Sequence, residues 1–326
     1  MLANFRSEPF QAEFHARWHA LRDPHVRALA WLLDAPDLLD PAAPQWHGKL
    51  ASIPVDDSVR SWLFELDSAP TALHAFIALG PFERLGRYAE KLLAFYFQHR
   101  GLLVAHGVQV RSEKKHTVGE FDFLLRDGAD LVHWEFATKL YLQEGSADSD
   151  HFVGPNLADS LCAKMAKILE RQLALGQHPA AQSHLPQPIA RAQALIKGWL
   201  FYHGTEHPCA QAGLHPDHCR GWWCAKNEID ALPLARFVIL ARLAWLAPLQ
   251  TPRAQTLSHA ELKQALDAHF ADDAMPVMVA VLTDAACECF ELSRGFVVPD
   301  DWRARAGQRA QRSFIAARSV DLAVNV

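Results

Sequence analysis

Two acidic residues near the middle of the chain, Asp122 and Glu135, have the type and spacing of a metal-binding pair. Between them, Asp127-Gly128-Ala129-Asp130 suits a two-residue hairpin turn with glycine at its first central position. Pairing Asp127 with Asp130 places Asp122 opposite Glu135, with their Cβ atoms ~5 Å apart. Two carboxylates at that distance repel each other by roughly 3 kcal/mol when the effective dielectric constant is about 20. A divalent cation reverses this cost. Mg²⁺ (or Mn²⁺) is the natural candidate, because it binds one or two carboxylates together with water and phosphate oxygens.

The same register brings Phe123 opposite Trp134, an apolar pair on the face that we expect to be buried. Lys139 lies on the face of Glu135, four residues further along the strand. We predict that its amine orients an attacking water or stabilises charge that develops on a phosphate. The alternative is a partly solvated face on which the two acids merely tolerate each other. The acids alone favour that alternative, and Lys139 brings the two interpretations into balance.

A third acid, Glu90, falls within a helical pattern that covers residues 84–98. Its predicted helix face also carries Gly86, Leu93, Ala94 and Phe97, which are small or apolar. Such neighbours favour an inward-facing glutamate. An exposed helix glutamate is the commoner explanation for the residue taken alone.

The surrounding elements predict an α/β protein in which a mixed sheet is covered by helices. Residues 1–75 form an N-terminal helical cap, 76–204 the core, and 205–326 a C-terminal α/β portion packed on that core. Periodicity predicts helices at residues 13–39 (interrupted at Pro24), 59–66, 84–98 and 157–175. It predicts strands at 102–110, 120–125, 131–142, 194–202, 276–282 and 290–298, and leaves 234–246 open between helix and buried strand.

The overall charge argues against a surface that is attractive to nucleic acid everywhere, since the formal net charge is −5. Nucleic-acid binding therefore needs a local basic patch. The candidates are Lys164, Lys167 and Arg171 on the predicted helix, with Lys115 in the loop before Asp122. For the three helix residues, a solvated helix face is the favoured alternative.

Targeting and redox signals predict a soluble cytoplasmic protein. The N-terminus has no signal-peptide pattern, and no apolar run is long enough to span a bilayer. Six cysteines in 326 residues give no disulfide framework. A zinc site is the less favoured interpretation of one His/Cys-rich stretch, because it lacks a Cys-x-x-Cys pair and its spacing is irregular. That stretch contains His207, Cys209, His215, His218, Cys219 and Cys224.

In order and type, these residues resemble the PD-(D/E)XK nuclease superfamily, over about residues 84–203. The matching segments are Glu90, Gly119-Glu120-Phe121-Asp122 and Trp134-Glu135-Phe136-Ala137-Thr138-Lys139. The resemblance implies a restriction-endonuclease-like core. In that core Asp122, Glu135 and the Phe136 carbonyl hold the metal, Lys139 is the catalytic lysine and Glu90 is a supporting acid. The superfamily places its lysine two residues after the glutamate, where this chain has Ala137.

Over most of its length the chain more closely resembles an uncharacterised bacterial family, domain of unknown function 1853. The matching motifs are the strand 135–142, Gly154-Pro155 before a lysine-bearing helix, Gly198-Trp199-Leu200-Phe201-Tyr202, Gly221-Trp222-Trp223 and Arg294-Gly295-Phe296-Val297-Val298. We expect a metal-dependent phosphodiesterase acting on DNA or RNA. The alternative is a non-catalytic nucleic-acid-binding or interaction protein on the same scaffold. The displaced lysine favours that alternative.

Overall fold

A ten-stranded mixed sheet runs through the molecule. The structure, a computed structural model, describes residues 9–78, 84–112, 116–145, 151–204 and 213–309. The strands are β1 (Leu103–Arg111), β2 (Thr117–Asp127), β3 (Asp130–Gln143), β4 (Phe152–Val153), β5 (Ile189–His203), β6 (Cys219–Ala225), β7 (Arg236–Ile239), β8 (Gln250–Pro252), β9 (Val277–Leu282) and β10 (Glu288–Val298). Their spatial order is β1-β2-β3-β5-β6-β10-β9-β7, with β4 paired to β3 and β8 to β10.

Helices cover both faces of this sheet, which confirms the predicted mixed α/β class. They are α1 (Pro9–Trp18), α2 (Pro24–Asp34), α3 (Asp57–Ser68), α4 (Thr71–Ile77), α5 (Leu85–His99), α6 (Leu161–Lys167) and α7 (His259–Asp272). The predicted interruption at Pro24 is confirmed. Proline occupies the first position of α2, and the Asp23 carboxylate caps the helix by accepting the N–H groups of His25 and Val26.

Strand β3 alternates between two cores, as its sequence predicts. Val132 and Phe136 join the large core formed with helices α1 to α5. Ala137 and Tyr141, on the opposite face, join a second core with Met165 of α6. The strand therefore presents Glu135 and Lys139 to the side covered by α6.

Two segments differ from the predicted elements. A single helix over 157–175 is wrong: Ser160 caps α6, a π-helical turn follows at Ile168–Gln172, and a short 3₁₀ turn ends the segment at Leu175–Gln177. The ambiguous segment 234–246 contains both β7 and a 3₁₀ turn, Arg242–Trp245. Strand β7 forms because it pairs with β9.

The C-terminal part of the chain continues the same sheet. Strand β6 runs parallel to both β5 and β10, and β10 pairs antiparallel with β9. Helix α7 covers this end through Leu262 and Leu266. Among the described residues, no helix has the length and apolar character needed to cross a membrane.

Candidate metal centre

The hairpin between β2 and β3 has the register predicted from its turn. Asp127 pairs with Asp130 and Phe123 with Trp134, and Gly128 has a φ of 59°. The antiparallel ladder ends at Phe123, one residue short of Asp122. Asp122 and Glu135 are therefore not a regular ladder pair, and their proximity depends on the contacts of their side chains.

Asp122 lies where β2 departs from regular pairing with both neighbours. Its Oδ2 accepts the backbone N–H of Phe136 at 2.9 Å, which places the carboxylate in the space between β2 and β3. On the other side, β1 pairs with β2 through Val108 and Phe121, and the preceding residue, Gly107, adopts a φ of 63°. This irregularity directs the Asp122 side chain into a gap in the sheet.

Three acids converge on this gap, and Glu135 lies next to them. Ligand oxygens of Glu90, Glu120 and Asp122 lie within 4.8 Å of one another. Glu135 lies close enough to Asp122 for its charge to raise the pKa of Asp122. Helix α5 delivers Glu90 two turns before Phe97, whose ring packs on Phe123 and Trp134 of the hairpin.

Sequence reasoning gave Glu120 no role, although it stands in the quoted segment Gly119-Glu120-Phe121-Asp122. The signal was its spacing, because residues two apart on a strand share a face.

Burial favours the neutral form of these acids and so raises their pKa values. It is the main cause that raises the pKa of Asp122 to about 7, and repulsion by Glu135 adds to it. Burial likewise raises the pKa of Glu90 to about 7, with Asp122 as the next cause. The pKa of Glu135 also rises to about 7 through burial, against the opposing effect of the Lys164 charge. A cation bound here would favour the ionised forms of all three carboxyl groups.

The Lys164 amine lies close enough to Asp122 and Glu135 to change the pKa of both. Its charge lowers the pKa values of Asp122 and Glu135, and burial lowers its own pKa. Its Nζ donates to Gln172 Oε1 at 3.2 Å, and Gln172 Nε2 in turn donates to Glu135 Oε2. The π-helical turn Ile168–Gln172 ends at this glutamine. Sequence reasoning placed Lys164 only in the phosphate-contacting patch.

Lys139 is engaged elsewhere. Its Nζ lies 3.0 Å from Asp159 Oδ2, and the same carboxylate oxygen accepts the Tyr141 hydroxyl at 3.0 Å. Within the described ranges, no hydrogen bond joins Lys139 to Asp122 or Glu135. Asp159 precedes α6, so this contact ties the loop before the helix to β3.

The remaining predicted site residues are distributed around the gap. The Phe136 side chain is buried, but its backbone N–H faces Asp122. The N–H and C=O of one strand residue point to the same side, so its carbonyl faces the gap as well. Lys167 is exposed and close enough to Lys164 to lower the pKa of that amine. Arg171 is exposed, and Lys115 lies outside the described residues.

The described part of the His/Cys-rich stretch does not converge on one point. Cys219 packs in the large core on one face of β6, whereas Cys224 packs with α7 on the other. His218 has both ring nitrogens occupied: Nε2 lies 2.8 Å from the Tyr202 hydroxyl, and Nδ1 lies 2.6 Å from the His215 carbonyl. His207 and Cys209 lie outside the described residues.

The fold and the site together define a mixed α/β protein. Its carboxylate cluster, formed by Glu90, Glu120, Asp122 and the neighbouring Glu135, lies at a break in the sheet. The profile of a domain of unknown function, DUF1853, matches residues 27–298, and the chain belongs to this family. No curated protein and no solved structure matches it significantly.

Some of the quoted family motifs lie away from the cluster and serve packing. Arg294 is fully buried and forms a two-pronged ion pair with Glu291 at 2.6 and 2.7 Å. Its remaining N–H groups bind the carbonyls of Trp245, Leu246 and Ala247. Next to it, a Cβ on Gly295 would lie only 2.1 Å from the Trp222 ring.

Proposed function

We propose that this protein is a Mg²⁺- or Mn²⁺-dependent phosphodiesterase that acts on DNA or RNA, with a core of the restriction-endonuclease-like PD-(D/E)XK type. The observation that carries the proposal is the convergence of Glu90, Glu120 and Asp122 at one gap, with Glu135 close enough to raise the pKa of Asp122. Four acids of like charge, three of them with pKa values raised chiefly by burial, are an unfavourable arrangement without a cation. Their oxygen donors suit a hard divalent ion.

Asp122, Glu135 and the Phe136 carbonyl are the ligands in this proposal, and Glu90 and Glu120 support them. The chemistry of the donor set fits, because every donor is an oxygen. Asp122 shares the gap with the supporting acids Glu90 and Glu120, and its carboxylate lies against the Phe136 backbone. A bound ion supplies Lewis-acid polarisation of a phosphate and a lower pKa for an attacking water. The Phe136 N–H holds the Asp122 carboxylate in place for this role.

Lys164 supplies the positive charge that the resemblance assigns to Lys139. Its amine is half-buried and acts electrostatically on both central acids. An amine there stabilises negative charge that develops on the phosphate. Lys139, by contrast, is held by Asp159.

A phosphate backbone is a suitable substrate because basic residues flank the acids on two sides. Lys164 and Lys167 lie along α6. On the α5 side, the Arg87 charge lowers the pKa of Glu90. Lys91 lies near His106, and the Glu120 charge raises the pKa of that histidine. Such local cations bind nucleic acid despite a negative net charge.

The second candidate function is metal-independent nucleic-acid binding on the same scaffold. One observation favours it: the predicted catalytic Lys139 is tied to Asp159. The two functions differ in whether a divalent ion is needed and whether the substrate is cut.

Cleavage of single- and double-stranded DNA and RNA, with Mg²⁺, with Mn²⁺ and with chelator, tests the proposal. We expect metal-dependent cleavage by the wild type and a loss of on the order of 10²-fold or more in Asp122→Asn. Asp230→Asn, which removes an exposed acid paired with Lys263, is the matched control and stays active. Cleavage that survives both Asp122→Asn and chelation contradicts the proposal. Metal-independent binding without cleavage supports the second function.

A further inference from the structure

A histidine beside the carboxylate cluster is enclosed completely. His133 on β3 has no accessible surface. Its Nε2 lies 2.9 Å from Glu135 Oε1, and the Phe121 ring packs edge-on against the imidazole, with centroids 4.8 Å apart. The His133 imidazole therefore contacts both the Phe121 ring and the Glu135 carboxylate beside the gap.

An imidazole is a costly choice for this position. His133 Nδ1 has no hydrogen-bond partner among the described residues. An unsatisfied buried polar atom costs on the order of 1–3 kcal/mol, and an apolar side chain between Phe121 and Glu135 would avoid that cost. The contact with Glu135 is the interaction that only a hydrogen-bonding side chain provides.

His133 completes a set of donors that fixes the Glu135 carboxylate. Gln172 donates to Oε2, and His133 meets Oε1. One partner on each oxygen prevents rotation of the carboxylate about its terminal torsion. Each oxygen keeps lone-pair capacity for a further ligand, since an ionised carboxylate accepts about four hydrogen bonds.

We propose that His133 is a positioning residue, whose Nε2–H holds Glu135 in the orientation that binds the divalent ion. This rests on the proposed function, because it assigns Glu135 as a ligand. Groups that orient a metal ligand contribute typically 10–100-fold to metal affinity. His133 acts through Glu135 and does not touch the substrate.

Mn²⁺ binding to the full chain, followed by electron paramagnetic resonance, tests the proposal. His133→Leu removes the donor, and we expect Mn²⁺ to bind about 10–100-fold more weakly. His133→Gln keeps an amide donor close to the Nε2 position, and we expect it to restore most of the affinity. The matched control is His15→Leu, which removes another largely buried imidazole, packed on Phe290 of β10, and leaves Mn²⁺ affinity unchanged.

The outcomes separate this proposal from the proposed function. Wild-type affinity in a folded His133→Leu variant overturns the role of His133 alone. Absence of Mn²⁺ binding to the wild type overturns both.

Should His133→Leu fail to fold, imidazole ¹⁵N spectra of the wild type during a Mg²⁺ titration decide, with the His133→Gln spectrum providing the assignment. We expect an Nε2–H tautomer whose resonances shift as Mg²⁺ binds. An Nδ1–H tautomer, or resonances indifferent to bound Mg²⁺, contradicts the role.

Discussion

The Asp122 carboxylate accepts the backbone N–H of Phe136 at 2.9 Å. A side chain thus occupies the place of a strand partner directly beyond the last ladder pair, Phe123 with Trp134. The contact fixes the carboxylate without a second charged group. It also leaves the Asp122 carboxylate near Glu90, Glu120 and Glu135. A bound cation would offset the repulsion among these acids.

Stability of the metal-free protein should fall as pH rises through about 7. Burial raises the folded-state pKa of Asp122 to about 7, above its unfolded value of about 3.9. Protons are therefore bound preferentially by the folded state between these values, so this stabilisation is complete below the unfolded pKa and lost as pH rises through the folded pKa.

Urea unfolding at pH 5 and pH 8 checks this dependence. The difference between wild type and Asp122→Asn isolates the residue, and we expect it to change by at least about 1.4 kcal/mol, the equivalent of one pKa unit. Saturating Mg²⁺ should abolish the loss at pH 8. Parallel pH profiles for the two proteins contradict the prediction.

Replacement of Lys164 should impair cleavage far more than replacement of Lys139. Lys164→Met removes the amine that acts on Asp122 and Glu135, and we expect on the order of 10²–10³-fold lower kcat. Lys139→Met removes the ion pair with Asp159 and the amine over the Tyr141 ring, and neither contact involves Asp122 or Glu135, so kcat should change little. The measurement is single-turnover cleavage at saturating metal. A larger loss in Lys139→Met than in Lys164→Met contradicts the assignment.

Gly107→Ala should disturb the metal centre as well as stability. Gly107 has a φ of 63°. A Cβ there would make an ordinary van der Waals contact with Glu120 Oε1 at 3.6 Å, so the expected disturbance of the acids comes from the strained β1 backbone beside Glu120 and not from a clash. A left-handed conformation costs alanine about 1 kcal/mol or more. Gly48→Ala, with a φ of 70° and no atom near its Cβ, carries the same backbone cost away from the acids. We expect both variants to unfold more easily, and only Gly107→Ala to bind Mn²⁺ more weakly. Equal Mn²⁺ affinities would show that Gly107 shapes only the strand.

Arg294→Met should be among the most destabilising single substitutions. It leaves Glu291 buried without its partner, which costs roughly 3–5 kcal/mol. The double variant Arg294→Met with Glu291→Gln should lose less, because no unpaired charge stays in the core. Chemical denaturation measures both, and a double variant less stable than Arg294→Met contradicts this account.

The sequence predicted the hairpin register because a turn and an alternation determine it locally. Gly128 and the Phe123–Trp134 pair were sufficient. The position of Asp122 in the gap was not predictable in the same way, because it depends on how β1 and β3 both lose regular pairing with β2 there.

The positions of Lys164 and Gln172 could not be predicted from local sequence patterns, for a different reason. Periodicity predicts one helix over their segment, whereas the chain forms α6 followed by a π-helical turn. Gln172, at the end of that turn, contacts both Glu135 and Lys164. Lys139 shares the strand face of Glu135, as predicted, but its partner Asp159 comes from a loop whose path the sequence pattern does not specify.

The central claim is that the carboxylate cluster is a divalent metal site. Isothermal titration of the full chain with Mg²⁺, for wild type, Asp122→Asn and the control Asp230→Asn, tests it most directly. We predict that wild type and Asp230→Asn bind Mg²⁺ with the same affinity and that Asp122→Asn binds it far more weakly or not at all. Equal binding by Asp122→Asn and wild type, or no binding by the wild type, contradicts the account.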